Sequence, residues 1–230
     1  MTEEHVRNIG GVRLAYRVRG VADAPPLVLL HALGESAADW DPVAATLARR
    51  WRVYALDLRG HGRSDRPGTY SLELMRDDVL AFMNELCLDR VDMIGHSMGG
   101  VVAYLLAQDH PHRIHRLVLE DVPPPRPRTP SVPTRPEGEL GFDWEMVLAV
   151  RRQIDAPPPA WWDGLGRITA GTLVIAGGPD SHVPQDGLAD LVRRVPAARL
   201  VTIPAGHLVH ATEPEAFTDT VLAFLAPTDG

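Results

Sequence analysis

The chain has 230 residues, 45% of them apolar and 23% charged, with a formal net charge of −7, which suits one sizeable core in a single domain spanning 1–230. An acidic surface repels phosphate backbones and argues against a nucleic-acid partner. All 23 cationic side chains are arginine, which removes lysine Schiff-base chemistry and the lysine of a P-loop.

The single cysteine, Cys87, allows no internal disulfide and no cysteine-based metal site. Its neighbours Phe82, Met83, Leu86 and Leu88 predict a buried thiol on a helix. The start MTEEHVRNIGG is polar and acidic, unlike a leader, and no apolar run approaches the ~18 residues needed to cross a bilayer. These features predict a cytoplasmic protein with no membrane partner.

In chain order, Val6–Ile9 and Val12–Val18 read as strands turning at Gly10-Gly11. Leu27–Leu30 reads as a strand buried on both faces, Trp40–Leu47 as a helix and Arg52–Leu56 as a strand. Leu72–Leu86 carries apolar residues at helical spacing. Val91–Ile94, the helix after Ser97 and Leu117–Leu119 continue the alternation. Strand Thr172–Ala176, helix Leu188–Val195, strand Leu200–Ile203 and a last helix opened by Thr212-Glu213-Pro214-Glu215 complete it. The pattern predicts an α/β fold with a mainly parallel central sheet flanked by helices.

Residues 122–141 break the rhythm with seven prolines, and a helix-like stretch from Phe142 to Ile154 follows. Residues 122–170 therefore read as a shortened lid over the sheet edge, with Trp144, Trp161 and Trp162 either walling a pocket or anchoring the lid.

Ser97 stands in Gly95-His96-Ser97-Met98-Gly99-Gly100, where an apolar strand meets an apolar helix. Flanking glycines permit a strained turn that pushes a serine Oγ out of the sheet, and the following helix presents its N-terminal N–H groups there. A nucleophilic serine needs a base, and the base needs an orienting acid. The strand TLVIAG runs into Asp180, and RLVTIP runs into His207; both lie at carboxyl ends of predicted strands, where ligands bind in open parallel sheets. Asp121, which ends RLVLED, is the competing acid. His210 reads as a surface or capping histidine and His182 as remote from substrate. His110, His112 and His115 read as a solvated helix end, and His31, His61 and His96 as loop-holding hydrogen-bond groups. The N–H of Met98 and one from the loop His31–Ser36 are the expected oxyanion donors.

The motifs HALGES, DLRGHGRSD, GHSMGG, GGPDSHVP and PAGHLVH, in this order, resemble the α/β-hydrolase superfamily, in its branch of small esterases, lactonases and perhydrolases. The resemblance spans roughly Gly11 to Leu225. It implies Ser97 as nucleophile, His207 as general base, Asp180 as orienter, and Leu33 and Met98 as oxyanion donors. His31, Trp144 and Trp161 are the expected pocket residues. Two features depart from the family: His31-Ala32 replaces the usual His-Gly, and the cap is cut down. The reading implied is a serine hydrolase of a small-molecule carboxylic ester or lactone, acting through an acyl-enzyme with no metal or other cofactor. Perhydrolysis, carbon–carbon bond hydrolysis and acyl transfer use the same triad, and a non-catalytic ligand receptor is the rival from another class.

Overall fold

The computed structural model describes residues 2–226. Its sheet has eight strands: β1 Glu3–Ile9, β2 Val12–Arg19, β3 Pro26–Leu30, β4 Arg52–Leu56, β5 Val91–His96, β6 Ile114–Glu120, β7 Gly171–Ala176 and β8 Ala198–Thr202. They lie in the order β1-β2-β4-β3-β5-β6-β7-β8. The β1–β2 pair is antiparallel, as the two-glycine turn between them requires; β2–β4 is antiparallel too, and every other pair is parallel. The carboxyl ends of β5, β6 and β7 therefore lie side by side.

The helices are α1 Asp41–Leu47, α2 Leu72–Glu85, α3 Met98–Asp109, α4 Trp144–Asp155, α5 Pro159–Asp163, α6 Gln185–Arg194, α7 Val209–Thr212 and α8 Pro214–Leu225. Helix α2 starts where Ser71 accepts the Leu74 N–H at 3.0 Å, and its stripe Leu72, Met75, Val79, Phe82 and Met83 is fully buried. Burying such a stripe contributes about 1.5–3 kcal/mol per large side chain. Cys87 lies beyond the end of α2 and is exposed, in the left-handed region at φ 54°, so the expected buried thiol is corrected. The apolar residues around it turn inward from the helix, and the thiol follows the turn outward.

Two apolar layers sandwich the sheet. One holds Phe82, Tyr104, Leu106 and Met146; the other holds Trp40, Leu47, Phe217 and Val221. Residues 122–170 join the first layer through Met146, Val150, Trp161 and Leu165. Polar stitches to α2 and its approach hold them there. Gln153 accepts the Leu72 N–H at 2.7 Å, Tyr70 donates to Asp143 at 2.6 Å, and the Trp161 indole donates to Glu73 at 2.9 Å. The proline-rich arm before α4 has no regular structure, while α5, within the PPPAWWDGL stretch, is a helical turn that periodicity could not reveal in five residues.

Candidate active site

Ser97 stands between β5 and α3 with φ 49° and ψ −115°. A serine in that region is strained by about 1–3 kcal/mol, and the surrounding packing must hold it. Its N–H donates to Glu120 O at 3.1 Å, and Gly99 N–H donates to His31 O at 3.1 Å. A side chain at Gly99 would overlap the Leu30 carbonyl, and one at Gly95 would press on the backbone of Gly99 and Gly100. The glycines thus let α3 start hard against β3 and β5, which brings Ser97 to the wall of a cavity of about 320 Å³.

Asp121 follows β6 directly, also left-handed at φ 46°, and is fully buried. Its N–H donates to Ile175 O at 2.7 Å. One carboxylate oxygen accepts the Gly177 N–H at 2.9 Å and the Gln185 amide at 3.1 Å; the other accepts from the Ser181 hydroxyl and meets His207 Nδ1 at 2.8 Å. Burial opposes ionisation, but these bonds outweigh it and hold the carboxyl below the usual range. As an ionised acceptor it receives the Nδ1–H of His207. The loop carrying His207 reaches Asp121 because Ala205 and Gly206 N–H both donate to Gly177 O, at 3.1 and 3.0 Å. A side chain at Gly177 would overlap the Gly206 carbonyl.

Asp180 is exposed, four residues past β7. The expected pairing of Asp180 with His207 is therefore corrected: the acid on His207 is Asp121. Both acids follow a strand, but Asp121 leaves β6 at once and is turned inward, whereas the turn after β7 carries Asp180 to the surface. Ser181 and Gln185 from that same segment bind Asp121 instead.

Three residues on lies a second histidine–carboxylate cluster. His210 is fully buried, with Nδ1 at 2.8 and 2.9 Å from the carboxylate of buried Glu120, its N–H on Glu120 at 2.9 Å, and Nε2 3.2 Å from Asp39. Trp40 stacks on the ring at 4.3 Å. Burial alone would push the imidazole down, yet the two carboxylates outweigh it and raise His210 to about 10. The surface or capping role expected for His210 is corrected accordingly.

His96 donates through Nε2 to His207 O at 2.9 Å. Burial lowers His96 and His31 to about 4 and His61 to about 3, so all three are neutral near pH 7. His31 donates to Ala32 O at 2.7 Å and accepts the Leu58 N–H at 3.0 Å; His61 accepts the Gly34 N–H at 3.2 Å. These bonds set the loop that carries Leu33. Met98 opens α3 and lines the cavity, where first-turn N–H groups have no intrahelical acceptor.

Of the expected pocket residues His31, Trp144 and Trp161, none lines this cavity. His31 is sealed in its loop, Trp161 is held by Glu73, and Trp144 packs against the core. The walls come instead from Pro123–Arg128, Arg151, Ile154 and His182. His182, expected to be remote, has its ring 4.3 Å from that of His207. The proline-rich run, read as part of a shortened lid, did not show which of its residues wall the cavity, because proline composition reports stiffness and not placement.

The sheet order, the left-handed serine between β5 and α3 and the histidine beyond β8 define a class. The family model for the alpha/beta hydrolase fold matches residues 25–164, and the chain belongs to that family. An uncharacterized protein of Mycobacterium tuberculosis is 38% identical over 114 residues, which cover 49% of this chain and only 33% of that protein. The match thus spans about a third of that relative's length. The sn-1-specific diacylglycerol lipase ABHD11 of Danio rerio is 25% identical over 97% of this chain and 86% of its own. Among solved structures, the enol-lactonase from Burkholderia xenovorans LB400 superposes with a TM-score of 0.88 at 29% identity, covering 96% of this chain and 99% of that one. No helix among the described residues is long and apolar enough to cross a membrane.

Proposed function

We propose that this chain is a serine hydrolase that cleaves a carboxylic ester or lactone through an acyl-enzyme on Ser97. The observation that carries the reading is the ionised, four-bonded Asp121 on His207 Nδ1, beside a strained serine on the same cavity. His207 Nε2 takes the Ser97 proton as Oγ attacks the carbonyl, and Asp121 stabilises the imidazolium. The tetrahedral oxyanion is met by the N–H groups of Met98 and Leu33, each such donor worth about 10²–10³ in rate. His207 then protonates the leaving alcohol and activates water for deacylation. Nucleophile, base and acid all come from the chain. The enol-lactonase and the diacylglycerol lipase among its relatives support acyl-oxygen cleavage. A cavity of about 320 Å³ walled by prolines favours small to medium acyl groups over long chains.

Ser97→Ala should lower kcat on p-nitrophenyl acetate by on the order of 10⁴–10⁶ with the fold intact. A fluorophosphonate should add once, on Ser97, by mass spectrometry. Labelling elsewhere with full activity retained, or a single slow event per molecule as in a receptor, overturns the reading.

A further inference from the structure

The cavity beside Ser97 has an unusual charge for so acidic a chain. Arg126, Arg128 and Arg151 all line it, against Asp121, already bonded to His207, and the exposed Asp186. Two of the arginines are occupied: Arg126 pairs with Asp190, and Arg128 donates to the buried Asp155.

Arg151 is not. Among the described residues it makes no ion pair within 4 Å, and its Nε is buried without a hydrogen-bond acceptor. Its natural partner is Asp155, four residues on along α4 and on the same helix face. That carboxylate is turned to Arg128 and to the Ser131 N–H. The proline-rich arm thus takes the hydrogen bonds of that acid; the Arg151 charge still helps hold Asp155 low, but Arg151 lines the cavity half-buried and without a direct ion pair. Buried polar groups without partners are costly and rare, and the planar guanidinium fork matches a carboxylate with two parallel hydrogen bonds. His182, an exposed titratable group that also lines the cavity, has its pKa lowered by partial burial and by His207.

We infer that Arg151 recognises a carboxylate on the substrate, so that the natural substrate is an anionic ester or lactone: a half-ester of a short dicarboxylic acid, or a lactone bearing a free carboxylate. The inference rests on the ester-hydrolase reading of Ser97 for the chemistry, and on the cavity alone for the binding.

The test compares monomethyl with dimethyl esters of succinic, glutaric and adipic acid by pH-stat, per ester group. At one chain length the wild type should favour the monoester anion at least tenfold in kcat/KM. Arg151→Met should collapse that ratio to near one, and Arg151→Lys should restore part of it. Calorimetric titration of glutarate into Ser97→Ala protein, with and without Arg151→Met, reads the site without turnover; binding should weaken at least tenfold when the guanidinium is gone. If Arg151→Met fails to fold, inhibition of wild-type p-nitrophenyl acetate hydrolysis by glutarate, compared with neutral glutaramide, decides instead. Charge-blind turnover at all three lengths, with glutarate binding no better than glutaramide, overturns the role of Arg151. Loss of Ser97 labelling and of all ester turnover, with glutarate binding retained, overturns the hydrolase reading and leaves the carboxylate site standing.

Discussion

Glu120 and Asp121 are successive residues, and His207 and His210 lie three apart, yet the two histidine–carboxylate pairs they form are unlike. Glu120 and His210 are both fully buried, and Asp39 lies close by. Asp121 is buried too, but its histidine keeps 17% of its side chain exposed. The end of β6 accounts for part of this: Glu120 is its last residue, and Asp121 turns away from the strand direction in the left-handed region. The two pairs show how the same residue types serve opposite ends. A sealed, charged pair anchors the loop, and the half-open pair is the one to which the proposed function assigns proton transfer.

The comparison breaks most visibly if the two histidines are exchanged in effect. His207→Ala should lower kcat on p-nitrophenyl acetate by on the order of 10⁴–10⁶ while the melting temperature changes little. His210→Ala leaves Glu120 buried without its partner, and losing one partner of a buried pair costs about 3–5 kcal/mol. It should therefore appear first in denaturant unfolding. Equal stability losses for the two variants would erase the distinction.

The acids give a smaller effect. Asp121→Asn should cost about 10³–10⁴ in kcat by disturbing the His207 tautomer. Asp180→Asn, at an exposed position, should stay within about twofold and within about 0.5 kcal/mol in stability. If kinetics gave the reverse order, the acid would belong to the β7 turn after all.

The last effect is a pH dependence. The His210 pKa is raised from 6.5 to about 10 in the folded state, so its contribution is full below about pH 6.5 and is lost as pH rises through about 10. Asp121 has the opposite sign: its folded pKa is lowered, so its contribution is full above its ordinary range and is lost as pH falls. Thermal melts from pH 6 to 10.5 should show a decline in the wild type that is flattened in His210→Gln. A parallel decline in both would separate it from His210.

Some of this was legible before any coordinates. Short apolar runs and stripes at helical spacing located β2 to β7 and α2, α3 and α8 within a few residues. The serine announced itself because its strained turn needs glycines within two positions on either side. His207 was legible as a histidine in the loop after an apolar strand, five residues past β8. Asp121 was visible only as a rival to Asp180, since each follows an apolar strand and no local pattern says which one turns inward. His210 misled because HLVH before a helix has the look of an exposed cap. The cavity walls misled because tryptophans near a site suggest a pocket, whereas Trp161 spends its indole N–H on Glu73.

By itself the sequence determined which segments become strands and helices, that Ser97 sits on an elbow and that His207 ends a strand loop, because periodicity and turn chemistry act over a few neighbouring residues. Tertiary structure alone decided which carboxylate meets His207, that His210 is sealed and charged, and that Arg151 is left without an acid. Those outcomes depend on loops from β6, β7 and β8 closing to within a hydrogen bond of one another. Gly177 against Gly206 and the arm's Arg128 on Asp155 set that approach, and contacts between residues 29 and 27 positions apart in the chain leave no local pattern to read.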